Sequence, residues 1–344
     1  MIPRIIEFSA RNRLLVLTLT ALACAYAVHT LQTIRLDALP DLSDTQVIVY
    51  ARWDRSPDIV EDQVTYPIVS GLLGAPRVKA IRGFSDFGYS FVYVIFADGT
   101  DLYWARSRVL EYLDEIQPRL PAGVNLSLGP DATGVGWVFQ YALADPAGRH
   151  ALDELRAYQD WTLRYAIQAV PGVAEVASIG GYQRQYQITV DPVRLAAHGI
   201  ALHEVMDAIQ ASNDEVGGRL LEWSGAEYMV RGRGYARTLA DFEQIVLRAT
   251  GGGAPVLLRD VARVELGPEL RRGVADLDGE GDAVGGIVVM RHGENALRVI
   301  ERVKARLAEL EPGLPEGVRF VTTYGRSDLI HRAIDTLEHE LILQ

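Results

Sequence analysis

Histidine and carboxylate side chains at regular spacing are the residues of this sequence that could bind a metal ion. His198 and His203 lie five positions apart. Farther along the chain, His331, Asp335 and His339 follow one another at intervals of four. On a helix this interval places side chains on one face, and imidazole and carboxylate groups are common ligands of transition metals. An ordinary solvated helix face has the same pattern and is the favoured interpretation, so the metal ligands stay unknown at this point.

Sulfur ligands, which monovalent copper and silver prefer, are scarce in the sequence. The four methionines are spread along the chain as Met1, Met206, Met229 and Met290, and the one cysteine is Cys24. A single cysteine excludes an intramolecular disulfide and a cysteine-rich zinc site. The sequence therefore defines no cation site by itself.

Motifs that indicate an enzyme are missing as well. The sequence contains no G-x-S-x-G nucleophile elbow, no H-E-x-x-H zinc motif and no glycine-rich phosphate loop that continues into Lys-Ser or Lys-Thr. The glycine run 251–253 precedes a predicted strand and is interpreted as a loop. We therefore predict no catalytic residue and no cofactor, and we expect a protein that is not an enzyme.

The composition limits the partners that the protein can have. Of the 344 residues, 49% are hydrophobic and 23% are charged, which is typical of a folded protein of two or three domains. The formal net charge is −11, and an acidic surface repels the phosphate backbone of nucleic acids. Nucleic acid is therefore not expected as a partner.

Residues 14–34 form a stretch of 21 residues without Asp, Glu, Lys or Arg. A helix rises about 1.5 Å per residue, so this stretch is long enough to cross the roughly 30 Å hydrocarbon core of a membrane. Arg4, Arg11 and Arg13 precede it. By the positive-inside rule, residues 1–13 then lie in the cytoplasm and the part of the chain after the helix lies outside.

The apolar stretch is compatible with two other interpretations. A cleavable signal peptide would end at the small residues 25–27, although the apolar stretch continues past that point. A lipoprotein modified at Cys24 is disfavoured because Ala21 stands where a leucine is usual. In a membrane helix, Cys24 is a small apolar residue that faces lipid or a neighbouring helix.

After the apolar stretch, the hydrophobic pattern alternates between strands and helices. The first group of elements has the order β-α-β-β-α-β, the ferredoxin-like order in which two helices cover one face of an antiparallel sheet. The same order then begins again and is completed much later in the chain. The predicted elements are 45–53, 57–73, 78–96 with a break at 87–88, 102–117 and 124–128 in the first group, and 138–144, 152–170, 173–179, 285–290, 296–310 and 318–324 in the second.

Two short signatures recur at matching places in the two groups. The turn Leu-Pro-Ala-Gly-Val at 120–124 returns as Leu-Pro-Glu-Gly-Val at 314–318. The sequence Ala-Pro-Arg-Val at 75–78 is echoed by Val-Pro-Gly-Val at 170–173. The repeat predicts two similar α+β domains in tandem.

A segment without a counterpart in the first group interrupts the second, and we interpret it as an inserted domain. Within it, residues 216–230 have the pattern of an extended hairpin or protruding arm. Residues 327–344 are helical in pattern and become apolar, as the start of a second membrane helix would, so a chain that stops there is expected to be a fragment. The predicted boundaries are 35–134 for the first domain, 135–181 with 273–326 for the second, and 182–272 for the insert.

Six stretches of the sequence are specific enough to compare with known families. They are 37–49 (DALPDLSDTQVIV), 61–67 (EDQVTYP), 82–96 (RGFSDFGYSFVYVIF), 98–113 (DGTDLYWARSRVLEYL), 129–137 (GPDATGVGW) and 267–273 (GPELRRG). In these stretches the chain resembles the opening portion of the resistance-nodulation-division exporters, specifically their heavy-metal efflux branch. The resemblance extends over the whole chain and implies one membrane helix, two porter subdomains with a docking subdomain inserted in the second, and the start of a second membrane helix.

The resemblance also implies a function. The full protein would be a homotrimeric pump of the bacterial inner membrane, with the bulk of this segment in the periplasm. It would use the proton gradient to expel metal cations through a periplasmic adaptor protein and an outer-membrane channel. The arm at 216–230 would be an intersubunit hairpin, with Leu220, Leu221 and Trp223 buried against a neighbouring protomer.

Two features of such a pump are not found in the sequence. The carboxylates that couple transport to protons are expected on later membrane helices, because the stretch 14–34 has none. Copper- and silver-exporting relatives carry a methionine where this sequence has Leu270, and leucine cannot bind a cation. Monovalent copper or silver and divalent cations therefore stay open as substrates.

Two further functions stay open at the level of sequence. One is a membrane-anchored periplasmic module that binds a partner through its acidic α+β domains. The other is a sibling of the same superfamily that exports hydrophobic drugs, for which a groove rich in aromatic side chains is expected.

Overall fold

The structure is a computed structural model that describes residues 2–33, 37, 39–232, 234–249, 254–271 and 273–343. Met1 and the glycine run 251–253, which the sequence analysis considered, lie outside the described residues. The chain divides into two compact units. The first consists of Met1–His150, Tyr158–Gly180 and Ala275–Gln344, and the second consists of Ala151–Ala157 and Gly181–Val274.

Two helices open the chain, α1 (Ile2–Arg11) and α2 (Arg13–Thr33). The sequence pattern predicts the second helix only. Within the described ranges, Arg13–Thr30 is the one helical stretch that is long and apolar enough to cross a membrane, and none of it is buried within the protein. Within Arg13–Thr30, the predicted apolar stretch therefore lies on an unburied helix.

The next part of the first unit is a four-stranded sheet with helices against it. Its elements are β1 (Gln46–Arg52), α3 (Pro57–Val60), a π-helical turn (Glu61–Thr65), α4 (Tyr66–Leu72), β2 (Val78–Asp86), β3 (Tyr89–Phe96), α5 (Leu102–Ile116) and β4 (Asn125–Leu128). All neighbouring strands are antiparallel, and their order across the sheet is β2-β3-β1-β4. The predicted helix 57–73 is thus one helical segment with a π-helical turn in its middle.

Helix α5 shows why these elements form where they do. The side chain of Asp101 caps its first turn by accepting a hydrogen bond of 2.8 Å from the backbone N–H of Trp104. Ala105, Val109 and Leu113 recur at intervals of four and are buried, so this face packs on the sheet. The hydrophobic cluster there includes side chains of α4, β1 and β3.

The remaining elements fall on both sides of the second unit. In the chain before β7 come β5 (Trp137–Ala144), α6 (Leu152–Tyr158), a π-helical turn (Gln159–Leu163), α7 (Arg164–Gln168) and β6 (Val173–Gly180). The residues of α6 as far as Ala157 belong to the second unit. Within it lie β7 (Arg184–Val190), α8 (Pro192–His198), α9 (Leu202–Ala211), β8 (Val216–Trp223), β9 (Ala226–Gly232), α10 (Leu239–Glu243), β10 (Val246–Arg248), β11 (Val256–Leu257), α11 (Leu258–Val261) and β12 (Ala262–Pro268). After it follow β13 (Val284–Met290), α12 (Ala296–Leu310), β14 (Arg319–Gly325) and α13 (Ser327–Leu343).

The second sheet of the first unit has the order β14-β5-β13-β6, and all neighbouring strands are antiparallel. Counted by their succession in the chain, its strands lie in the order fourth, first, third, second. The strands of the first sheet lie in the same order. The two parts of the first unit thus share their succession of elements and their strand order.

The recurring sequence signatures adopt matching backbone conformations. Gly123 and Gly317 have φ values of 87° and 85°. In each turn the following valine donates its N–H to the proline carbonyl, at 3.3 Å in the first copy and 3.0 Å in the second. Arg77 and Gly172, at the third position of the other signature, also have positive φ values of 64° and 93°. The similarity of the two copies therefore extends to single dihedral angles.

The second unit is built on an antiparallel ladder of β7 and β12, with α8 to α11 around a small core. Asp191 caps α8 by accepting hydrogen bonds from the N–H groups of Val193 and Arg194, at 2.9 and 3.2 Å. Gly199, with a φ of 62°, ends the same helix. Buried side chains of the core include Leu195, Val205, Phe242, Leu258 and Val261.

Candidate functional site

A polar cleft of about 460 Å³ lies in the first unit. Tyr50 of β1 and Arg106 of α5 contribute one part of its lining. Arg164 and Tyr165 of α7 and Glu175 of β6 contribute another part. Side chains of both sheet-and-helix parts thus line the same cleft, so a movement of one part against the other would change its width.

Asp131 connects the two parts beside this cleft. It lies in the loop between β4 and β5, and its side chain is 18% exposed. One carboxylate oxygen accepts a hydrogen bond of 2.9 Å from the hydroxyl of Tyr103 on α5 and lies 3.2 Å from Nε of Arg291. The carbonyl oxygen of Asp131 also accepts the N–H of His292 at 2.8 Å. One residue thereby joins α5 of the first part to the loop after β13 of the second.

The environment of Tyr103 keeps its hydroxyl in the donating form. Burial, the hydrogen bond to Asp131 and the negative charge of Asp131 all raise the pKa of the Tyr103 phenol. The cations Arg291 and Arg106 oppose this effect but do not outweigh it. The link between Tyr103 and Asp131 is therefore stable to ionisation through the physiological pH range.

A second cavity, of about 280 Å³, adjoins the segment that follows α2. Asp37, Asp41, Met290 and His292 are among the residues that line it. Burial would raise the pKa of Asp41, but hydrogen bonds from Thr133 and Ser43 and the nearby His292 hold it below its ordinary value. Asp41 is therefore ionised and already has hydrogen-bond donors around it.

The metal ligands considered from the sequence do not form a cluster in the structure. Across the residues that the structure describes, no group of three or more His, Cys, Asp or Glu side chains is placed to bind a metal ion. His331, Asp335 and His339 lie exposed along α13. His198 is the last residue of α8, and His203 lies in the first turn of α9.

The sulfur-containing side chains are also separated by element. Met206 lies exposed on α9, and Met229 lies exposed on β9. Met290 ends β13 and lines the smaller cavity. Cys24 is exposed on α2. Leu270, named above as the position at which a methionine could bind a cation, follows β12 and is exposed.

The predicted arm is a two-stranded hairpin of β8 and β9. Ser224 and Gly225 form its turn with φ values of 57° and 78°, as a tight hairpin turn with two left-handed residues requires. Leu220, Leu221 and Trp223 on β8 are 59%, 51% and 71% exposed. A two-stranded hairpin with apolar side chains in solvent has little stability of its own, so these residues are suited to a contact with a partner.

The opposite strand adds residues that the sequence analysis did not name. Met229 pairs with Leu220, and Tyr228 pairs with Leu221. Tyr228 and Met229 are exposed as well, so the apolar surface spans both strands. Tyr228 and Met229 could have been predicted from the sequence, because the two strands that flank a hairpin turn pair residue by residue.

Asp131 and Arg291 were also missed as a pair by the sequence analysis. Asp131 lies within the stretch 129–137 that was singled out, but as part of a motif and without a role. Arg291 directly follows the last apolar strand of the second part and has no local pattern around it. The two side chains are 160 positions apart in the sequence, and only the fold brings them together.

Comparison with known proteins identifies the chain's relatives. It matches the AcrB/AcrD/AcrF family over residues 5–344. It is 55% identical to the cation efflux system protein CusA of Escherichia coli strain K12 and 54% identical to the putative cation efflux system protein SilA of Salmonella typhimurium, over 343 residues in each case. It is 36% identical over 350 residues to the cobalt-zinc-cadmium resistance protein CzcA of Cupriavidus metallidurans.

The match covers nearly all of this chain but only part of each relative. In these three comparisons it covers 99% of the chain and 33% of the relative, so the chain spans about a third of the relatives' length. A crystal structure of a heavy metal efflux pump superimposes on 98% of the chain and 34% of that structure, with a TM-score of 0.88 and 31% identity. The chain therefore belongs to the AcrB/AcrD/AcrF family.

Proposed function

We propose that this chain forms the N-terminal third of the inner-membrane subunit of a proton-driven heavy-metal cation efflux pump, a transporter component and not an enzyme. The observation that carries the proposal is the match of almost the whole chain to CusA and to the fold of a heavy metal efflux pump. Relatives in the comparison have names that refer to cation efflux or to cobalt, zinc and cadmium resistance. These names favour metal cations over hydrophobic drugs as the substrate.

The two sheet-and-helix parts of the first unit would be ferredoxin-like porter subdomains, 35–134 and 135–181 with 273–326. Their common strand order supports this assignment. The second unit would correspond to the docking subdomain, 182–272. Its own core and its insertion between β6 and β13 support this assignment.

The membrane topology follows from the apolar helix and its flanks. Residues 14–34 would cross the inner membrane, with residues 1–13 in the cytoplasm and the bulk of the chain in the periplasm. The unburied surface of Arg13–Thr30 supports a lipid environment for this helix. Residues 327–344 would begin a second membrane helix.

The exposed apolar hairpin supports a homotrimer. Burial of Leu220, Leu221 and Trp223 in a neighbouring protomer would remove a large apolar surface from water, and such aromatic anchors contribute strongly to protein interfaces. A periplasmic adaptor protein and an outer-membrane channel would complete the export path. These partners are proposed from the family alone.

The two porter subdomains would form one wall of the substrate path. Rigid elements that move against one another give alternating access in transporters. The Asp131 junction lies where the two subdomains meet, so it would restrain this motion. The proton-coupling carboxylates would lie on other membrane helices of the pump, because the stretch 14–34 has no Asp or Glu. That most metal ligands would lie elsewhere in the pump is proposed from the family alone.

A chimeric exporter tests the proposed function. In a strain of Escherichia coli K12 without CusA, the matching 343 residues of CusA would be replaced by this chain, and tolerance to Cu⁺, Ag⁺, Zn²⁺, Co²⁺ and Cd²⁺ would be measured. We expect the chimera to raise tolerance to at least one of these cations above that of the strain without CusA. A chimera that is present in the membrane as a trimer and protects against none of them would contradict the proposal.

A matched pair of variants separates assembly from transport in the same chimera. Trp223→Ala removes the most exposed of the three predicted hairpin residues, and we expect it to lower the trimer fraction and the tolerance together. Tyr235→Ala removes a similarly exposed aromatic side chain outside the hairpin. This control variant is expected to leave both measurements unchanged.

A further inference from the structure

One buried arginine stands at the junction of three chain segments in the first unit. Arg326 follows β14 and directly precedes α13, and it is only 3% exposed. Its Nη1 lies 2.7 Å from a carboxylate oxygen of Asp37. Its Nη2 donates hydrogen bonds to the carbonyl oxygens of Val135 and Trp137, at 2.7 and 2.8 Å. The guanidinium thus binds the segment after α2, the loop before β5 and the first residue of β5.

The backbone of Arg326 forms hydrogen bonds with both β5 and α13. Its N–H donates to the carbonyl oxygen of Val138 on β5 at 3.2 Å. Its carbonyl oxygen accepts the N–H of Ile330, at 3.0 Å, in the first turn of α13. The neighbouring Ser327 accepts a hydrogen bond of 2.9 Å from Lys304 of α12. The start of α13 is therefore fixed to the second sheet and to its covering helix.

The ion pair is costly to separate because of where it lies. An arginine remains charged at every pH that proteins tolerate, and a buried charge without its partner is strongly unfavourable. Asp37 is in turn held locally, because its other carboxylate oxygen accepts the N–H of Leu39 at 3.3 Å. Since Asp37 comes four residues after Thr33, little chain separates this anchor from the end of α2.

We propose that Arg326 and Asp37 form a clamp that couples α2 and α13 to the second sheet, so that a displacement of either helix moves the sheet with it. The proposal rests on the proposed transport function for its consequence, but its geometry does not depend on that function. Without the clamp, the backbone at Gly325 would absorb a displacement of α13 as local bending. Arg326 is thus a positioning residue for transport.

A distance measurement on the 344-residue chain tests the clamp directly. Cys24, the one cysteine of the sequence, lies exposed on α2, and Glu301→Cys adds a second exposed label site on α12. Both are spin-labelled in lipid nanodiscs, and the distance distribution between them is recorded by electron paramagnetic resonance. We expect one narrow distribution in the parent chain and a broad one in both Asp37→Asn and Arg326→Gln.

Three further variants make the result specific. Glu316→Gln breaks an ion pair with Arg149 of the same 2.7 Å length that is exposed, and it should leave the distribution narrow. Arg326→Lys keeps the charge but loses the planar fork, so an intermediate width is expected. The double variant Asp37→Asn with Arg326→Gln should be no broader than Arg326→Gln alone, because that single variant has already lost the ion pair. Distributions for Asp37→Asn and Arg326→Gln as narrow as that for Glu316→Gln would overturn the clamp.

The functional consequence is measured with the protein expressed from its complete gene. For Asp37→Asn we expect the maximal cation efflux rate to fall about tenfold while the half-saturating cation concentration stays unchanged, since a coupling residue alters turnover and not binding. Efflux equal to that of the parent, together with a broadened distance distribution, would overturn the coupling role. If the parent itself exports no cation, the proposed function fails, and the distance measurement still decides whether the clamp exists.

Discussion

Tyr141 illustrates how a single buried polar group shapes the second part of the first unit. It is among the largest fully buried side chains of the described chain. Its hydroxyl donates a hydrogen bond of 2.9 Å to the side-chain oxygen of Gln159, which is also buried and begins a π-helical turn. Burial raises the pKa of Tyr141 far above its ordinary value, and the hydrogen bond to Gln159 opposes this shift only in part. The phenol is therefore a neutral donor that pairs a strand with the irregular turn of a helix.

Tyr141→Phe is expected to lower the free energy of unfolding at pH 7 by about 1–3 kcal/mol, because the side-chain oxygen of Gln159 is left buried without its donor. Chemical denaturation of the chain in detergent, followed by circular dichroism, measures the change. At pH above 10 the difference should shrink. The raised pKa favours folding below the ordinary phenol pKa, and this contribution is lost as the pH rises toward the folded value.

Tyr112→Phe is the matched control for this change. The hydroxyl of Tyr112 donates to the carbonyl oxygen of Gly74 at 3.1 Å, but at an exposed site. Water replaces the lost partner there, so we expect a change of less than about 0.5 kcal/mol. Equal effects of the two substitutions would show that the buried hydrogen bond has no special role.

Turns that recur in both parts of the first unit carry the repeat at the scale of elements. Gly123 and Gly317 share nearly the same positive φ. A Cβ atom added at Gly123 would contact no neighbouring atom within 4 Å, and at Gly317 it would only approach Arg149 at 3.9 Å. Their requirement for glycine is therefore conformational and not steric.

We expect Gly123→Ala and Gly317→Ala to destabilise the protein equally, each by about 1 kcal/mol, because a side chain at positive φ costs this amount. Thermal or urea unfolding of each variant gives the comparison. Gly74→Ala serves as the control, since it has the same open surroundings without a positive φ. Unequal costs at the two turns would contradict the equivalence of the repeated elements.

Elements of this kind were predicted from the sequence because their signals are local. The predicted helix 296–310 agrees with α12, and the predicted break at 87–88 agrees with the turn between β2 and β3. The π-helical turns were not predicted. Thr65 and Gln159, which lie in these turns, form hydrogen bonds with hydroxyl groups on neighbouring strands, and such contacts have no local sequence signal. Helix α1 was not predicted either.

For the molecule as a whole, contacts between residues that are far apart in the chain could not be predicted from the sequence. Arg326 and Asp37 are 289 positions apart, and nothing in the local pattern of either residue indicates the other. The same is true of Asp131 and Arg291. The order of the helices and strands and the recurring turns could be predicted from the sequence. The side chains that connect the two parts could not, because connecting residues need no periodicity.

The orientation of the chain in the membrane is the prediction on which the proposed transport path depends. Arg11 and Arg13 adjoin the apolar helix on its N-terminal side, and their transfer across the bilayer would be unfavourable. In a Cys24→Ser background, we therefore expect Asp114→Cys on α5 to react with a membrane-impermeant maleimide in spheroplasts. Ala10→Cys on α1 should react only after the membrane is opened.

Mass spectrometry of the same preparations distinguishes a membrane anchor from a signal peptide. An anchor retains the residues before 25–27, whereas signal-peptide cleavage at that site removes them along with any label at position 10. If Ala10→Cys reacted in intact spheroplasts, or if the purified chain began after residue 27, the apolar helix would not hold the porter subdomains at the membrane. The clamp between Asp37 and Arg326 would then have no membrane helix α2 to couple to the second sheet.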